Sequence, residues 1–203
     1  MSQAVVRYRR GSVERRTNET EIALTLDLDG GGEVRAATGV PFLDHMLAAL
    51  GRHAGFDLDV SATGDAAMDP HHTVEDVGIA LGQALRQALG DRTGIARYGH
   101  AYAPLDEALA RVVVDCSGRA FLHFEAAMPE PVIGVDFAGS LIEEFWRALA
   151  VNAGLTVHVD LLRSRNAHHA AEAIFKAGAL ALRAATRPSG VSTTVPSTKG
   201  VLA

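Results

Sequence analysis

A pentapeptide of the form His-His-x-x-Glu occurs twice in this chain. His71-His72-Thr73-Val74-Glu75 returns 97 residues later as His168-His169-Ala170-Ala171-Glu172, and each copy opens a long segment rich in alanine and leucine. Other segments follow the same spacing. Gly55-Phe56-Asp57-Leu58-Asp59-Val60 matches Gly154-Leu155-Thr156-Val157-His158-Val159 at an offset of 99, as Phe42-Leu43-Asp44-His45-Met46-Leu47 matches Leu141-Ile142-Glu143-Glu144-Phe145-Trp146. Unrelated helices with similar polar starts would share composition. The common order of three segments favours duplication of one supersecondary unit.

Each half then reads alike. Glu21 to Asp29 alternates apolar with polar residues, Ala108 to Asp115 does so less cleanly, and a second strand is expected after each. Val40 to Gly51 and Leu141 to Ala153 space their apolar residues as helices do, with Pro41 near one start and a glycine near each end. Short strands at the Gly55 and Gly154 segments lead into helices running from the two His-His pairs to Gly90 and Thr186. The predicted half-unit is strand, strand, helix, strand, helix. Residues 1–92 and 93–187 form the two halves, and Asp91-Arg92-Thr93-Gly94 is too short a junction to let them separate. The expected fold is α+β, one compact pseudo-symmetric body with mixed sheets and helices on one face. The tail, residues 188–203, is rich in Ser, Thr, Pro and Gly and reads as loop.

Composition excludes several classes of function. With 19 basic and 24 acidic side chains, a net charge of −5 argues against nucleic acid or an anionic membrane as partner. No apolar run is long enough to span a bilayer, and the first sixteen residues lack a signal peptide's apolar stretch. A lone cysteine, Cys116, fits a reducing compartment, the cytoplasm.

The histidines carry the chemistry. A helix turns about 100° per residue, so His71 and His72 point in different directions and do not chelate one ion as a pair. Glu75, four residues after one and three after the other, can share a site with either. With His45 and its counterpart Glu144 added, the halves offer eight donors: His45, His71, His72, Glu75, Glu144, His168, His169 and Glu172. Two ions with four ligands each fit this set. Imidazole and carboxylate without thiolate suit Mn, Fe, Co, Ni or Zn, and open positions on an octahedral ion suit catalysis. His53, His100, His123 and His158 lack such spacing and read as surface or core residues.

These residues resemble one family over nearly the whole chain. The segments are Arg16-Thr17-Asn18-Glu19-Thr20, Gly39-Val40-Pro41-Phe42-Leu43-Asp44-His45-Met46-Leu47, both His-His-x-x-Glu motifs, Asp115-Cys116-Ser117-Gly118-Arg119 and Pro196-Ser197-Thr198-Lys199-Gly200. In this order they are similar to imidazoleglycerol-phosphate dehydratase of histidine biosynthesis. The resemblance implies a duplicated α+β fold, two Mn²⁺ per active site, and a shell of 24 identical subunits with active sites between them. The reaction implied is dehydration of imidazole glycerol phosphate to imidazole acetol phosphate. Some members carry His where this chain has Glu144; glutamate can also ligate manganese.

The hydrogen to be removed lies beside the imidazole ring on a carbon that no carbonyl acidifies. A ring deprotonated and held between two ions would delocalise that charge, and loss of hydroxide would give a diazafulvene-like species. Glu172 and Glu19 are the candidates for acid/base work; the alternatives are a pure ligand and a loop-fixing residue. Arg97, Arg119, Ser197 and Lys199 match the family's phosphate-binding positions, where arginine forks and a lysine on a closing tail would suit the anion. Two other classes use similar donors. A dinuclear hydrolase would add water to its product, and a metal-storage shell would need neither Glu19 nor the cationic set.

Overall fold

A computed structural model of the chain describes residues 9–64, 69–190 and 194–202. Residues 1–8 and 65–68 of the first half, and 191–193 and 203 of the tail, lie outside the described residues. The first half contributes β1 (Arg10–Arg16), β2 (Thr20–Asp27), β3 (Val34–Ala37), α1 (Pro41–Ala54), β4 (Asp57–Gly64) and α2 (His71–Leu89). The second contributes β5 (Tyr98–Leu105), β6 (Ala108–Asp115), β7 (Phe121–Glu125), the hairpin β8 (Val132–Ile133) and β9 (Phe137–Ala138), α3 (Leu141–Ala153), β10 (Thr156–Arg163) and α4 (Ala167–Thr186).

The α+β class, the mixed sheets and the four helices agree with the sequence. Each half has one strand more than expected, at its start, and the second half also gains the β8–β9 hairpin. The two main sheets repeat one topology, β1-β2-β4-β3 and β5-β6-β10-β7. In both, the first three strands pair antiparallel and the last pairs parallel to its neighbour.

Alternation along β2 buries Thr20, Ile22, Leu24 and Leu26 and leaves Glu21, Ala23 and Thr25 exposed, so one sheet face meets the helices. Each half's helices also pack against the other half's: α1 on α4, and α2 on α3. Phe145, Trp146 and Phe175 form an aromatic cluster where these helices meet, with ring centres 5.1 to 5.9 Å apart.

Glycine sets how closely β1 and β5 approach their helices. A Cβ on Gly11 would lie 2.0 Å from the Ala84 carbonyl oxygen, and one on Gly99 would lie 2.0 Å from that of Ala181. These are equivalent positions, so the duplicated halves share the same contact of strand against helix backbone. Between them, Arg92 is buried and donates from Nη2 to the Ala153 carbonyl at 2.8 Å, which pins the junction to the second half.

The outer faces are not alike. Rows across the first sheet read Arg10, Asp27, Asp57 and Ser12, Thr25, Asp59, Arg35. The matching rows of the second sheet read Tyr98, Asp115, Thr156, Phe121 and His100, Val113, His158, His123. Among the described residues, no helix is long and apolar enough to cross a membrane.

Candidate metal centre

The start of α4 aims the second His-His pair. Asn166 caps the helix by accepting from the His169 backbone N–H at 3.0 Å, which fixes where the first turn begins. The rings of His168 and His169 then diverge, 6.3 Å apart and at 88°. His71 and His72 diverge in the same way, at 6.1 Å and 89°. One turn along α4, Glu172 Oε2 lies 3.3 Å from His168 Nε2. Helix α1, packed on α4 from the other half, places His45 Nε2 3.1 Å from the same oxygen. His45, His168 and Glu172 thus offer three donor atoms within 4.8 Å of one another. Phe42 packs edge-on against both imidazoles, closing the site on its apolar side.

Burial pushes the Glu172 carboxyl up, but hydrogen bonds and charge from Lys176 and His45 outweigh it and hold the group down to about 2. Lys176 Nζ lies 2.5 Å from the other carboxylate oxygen. A fully ionised carboxylate beside two imidazoles is a donor set for a divalent ion of nitrogen and oxygen preference, and Mn²⁺ fits it. Lys176 was not a sequence candidate, although its spacing from Glu172, four residues on one helix face, carries the signal.

The other members of the eight are arranged differently. His71 Nε2 lies 4.0 Å from Glu75 Oε2 on α2, the counterpart of the His168 and Glu172 pair. Glu144 takes the place of His45 on α3 and is half-buried. It belongs to no group of three or more donors among the described residues, and neither does His71, His72, Glu75 or His169. The second histidine of each pair faces the turn of its own half's first hairpin. His72 Nδ1 lies 3.9 Å from Glu19 Oε2, and His169 Nδ1 lies 2.9 Å from Glu107 Oε2.

Glu19 and Glu107 are equivalents, 88 residues apart. Sequence reasoning missed Glu107, because its turn carries no motif; the offset linking β2 to β6 would have found it. The His169 hydrogen bond, helped by backbone N–H groups, lowers the Glu107 carboxyl to about 2, and the same bond raises His169. Asp76 holds the first hairpin in place. Its carboxylate accepts from Arg15 at 2.7 and 3.0 Å and from the Thr20 hydroxyl at 2.5 Å, which keeps the Glu19 turn beside α2.

Of the candidate anion-binding residues, Arg97 contacts the tail segment that carries Ser197 and Lys199. Arg97, with φ of 72°, is largely enclosed rather than solvated. Its guanidinium donates to both Asp115 oxygens at 2.8 and 3.1 Å and to the Pro196 carbonyl at 2.7 Å. Ser197 follows at once, its hydroxyl accepting from the Lys199 backbone N–H at 3.2 Å. Arg97 is therefore the residue on which this part of the tail rests. Arg119 and Lys199 are exposed, Arg119 on the loop that follows Asp115. A separate cavity of about 1020 Å³ lies along the first sheet, between Arg10, Arg35, Arg52 and Asp59, and includes none of the candidate ligands.

Fold and site together define an internally duplicated α+β protein with a histidine and carboxylate centre built across its two halves. The family model for imidazoleglycerol-phosphate dehydratase matches residues 38–182. The enzyme of that name from Pelotomaculum thermopropionicum is 53% identical over 194 residues, covering 96% of this chain and 98% of its own. That from Aromatoleum aromaticum is 55% identical over 195 residues, covering 96% and 100%. Two crystal structures of the same enzyme superpose closely. The Staphylococcus aureus protein has a TM-score of 0.80 at 41% identity, over 88% of this chain and 99% of its own. The Pyrococcus furiosus protein has 0.81 at 38% identity, over 94% and 100%. The chain belongs to the imidazoleglycerol-phosphate dehydratase family and is an enzyme, a hydro-lyase.

Proposed function

We propose that this enzyme removes water from imidazole glycerol phosphate to give imidazole acetol phosphate, using a dinuclear manganese centre. The observation that carries the reading is the convergence of His45 from one half with His168 and Glu172 from the other. His71, His72, Glu75, Glu144 and His169 complete the eight ligands. One chain does not bring the eight donors to a point, which supports centres assembled from neighbouring chains in a homo-oligomer of 24 subunits. When bound, the ions would hold the substrate's ring nitrogens and draw negative charge off the adjacent carbon as Lewis acids.

The chain's own residues divide the remaining work. Glu172 is committed to His45, His168 and Lys176, so its role is that of ligand. Glu19 is exposed on a turn, 3.9 Å from His72, and is the group free to take the carbon proton and return it. Arg119, Lys199 and Ser197 would hold the phosphate, with Arg97 seating the tail that carries two of them. The buried, lone Cys116 supports the cytoplasm as the compartment.

Incubation of the Mn²⁺-loaded enzyme with imidazole glycerol phosphate, followed by mass spectrometry, tests the reading. Loss of one water is expected. A product that has gained water, or no product at all, would overturn it. Replacement of Glu19 by Gln should leave manganese content intact and lower kcat by about 10²- to 10⁴-fold.

A further inference from the structure

His123 and His158 take no part in the reading above, yet strand pairing brings them together. β10 runs parallel to β7 with His158 opposite His123, and antiparallel to β6 with His158 opposite Val113. Both histidines are exposed, on the sheet face turned away from the helices. Their ring centres are 5.5 Å apart with the planes inclined by 42°. His45 and His168, in the candidate metal centre, stand 5.5 Å apart at 39°.

That separation decides whether two imidazoles can share an ion. A metal–nitrogen bond of about 2.1 Å puts the ion about 3.2 Å from each ring centre, so sharing needs centres about 4.5 Å apart at a right angle and about 6.4 Å when opposed. The observed 5.5 Å falls between these limits, at an angle of about 120° for a bond of that length. The sheet backbone holds it there, since adjacent strands lie about 4.8 Å apart. His100, in the same row, is two strands away beyond Val113, about 10 Å by the same spacing, and is out of reach.

The surroundings add a carboxylate at a distance and an aromatic wall. Glu125 is exposed on the same face, two residues beyond His123, but its carboxylate does not group with both rings within 4.8 Å, and its cross-strand neighbour Asp160 accepts from Arg111 at 3.1 Å. On the other side the Phe121 ring lies 5.8 Å from that of His158. The first half offers nothing comparable. Its equivalents are Arg35 and Asp59, an ion pair at 3.9 Å, so the histidine pair is not part of the duplicated apparatus.

We infer that His123 and His158 form a second divalent-metal site on the outer face of the second sheet. Water completes the coordination of the two imidazoles, since among the described residues no third protein donor groups with both within 4.8 Å. Two imidazoles favour Zn²⁺, Ni²⁺ or Cu²⁺ over Mn²⁺ by the usual affinity order. The site is independent of the catalytic reading, because none of its residues touches the His45, His168 and Glu172 group.

Dialysis of the Mn²⁺-loaded protein against Zn²⁺, with total zinc plus manganese measured per chain, tests it. Exchange of Mn²⁺ for Zn²⁺ in the catalytic centre leaves that total unchanged. His123→Ala, His123→Asn and His158→Ala should each hold one ion fewer per chain than the parent, while His100→Ala holds the full number. Circular dichroism and turnover with Mn²⁺ would establish that the variants are folded. Folded His123 and His158 variants that hold as many ions as the parent would overturn the proposal.

Discussion

Single side chains in this protein do work that their neighbours define. Burial pushes the Cys116 thiol up to about 12, so it stays protonated and sits in the core as a small apolar group. The native enzyme should therefore resist maleimide at neutral pH and react fully only in denaturant; labelling of the folded protein would contradict this. Asp57 is tied to a loop instead. Its carboxylate accepts from the backbone N–H groups of Glu33 and Gly31 at 2.9 and 2.8 Å, and these bonds, Glu33 foremost, lower its pKa. A carboxyl lowered on folding stabilises the native state above its unfolded pKa, and that contribution disappears as pH falls through the folded value. Asp57→Ala should cost about 1 kcal/mol at pH 7 in denaturant titrations. The difference from the parent should begin to shrink at about pH 4, where the unfolded carboxyl takes up its proton while the folded one stays ionised, and should be gone once pH has fallen through the folded value.

At the scale of elements, the strand-on-helix contact through glycine leaves no room for a methyl group. Gly99→Ala forces a Cβ against the Ala181 carbonyl and should lower stability by about 1–3 kcal/mol, seen as a reduced Tm without change of helix content. The same contact explains which elements the sequence concealed. Helices α1 and α3 were legible from apolar spacing and from a glycine near each end; α1 runs through the expected stop at Gly51 and ends at Gly55, which, like Gly154 after α3, is left-handed. β1 and β5 were not, because each is an edge strand whose inward face includes a glycine instead of a large apolar side chain. β8 and β9, two residues each, are too short to show a period. The two His-His-x-x-Glu motifs were visible, as was the divergence of adjacent rings. Which donors meet was not, since His45 reaches Glu172 only through the packing of α1 on α4. Glu107 stayed hidden because a turn glutamate has no periodicity to reveal it.

For the whole molecule, the proposed sharing of metal ligands between chains links metal content to assembly. Binding free energy contributed by ligands from neighbouring subunits adds to their association. Metal-free protein should fall into smaller oligomers and return to the large shell with Mn²⁺, a change that light scattering or native mass spectrometry would follow. An apo protein of unchanged mass would favour centres held within one chain. Chelation should also abolish turnover, and Mn²⁺ should restore it.

The pairing of α1 with α4 and of α2 with α3 reaches further than the present chain. Each half covers its sheet with two helices and then leans both on helices of the other half, so a half made alone would expose that second surface to water. Cut at the junction near Thr93, the two pieces should be soluble together and aggregate apart, which coexpression would show. A chain of half this length would face the same physical requirement, and two identical copies closing on each other about a twofold axis would meet it. A tether between the halves makes such a partnership independent of concentration, and lets the two outer faces differ, one rich in charge and the other in aromatic rings and histidine.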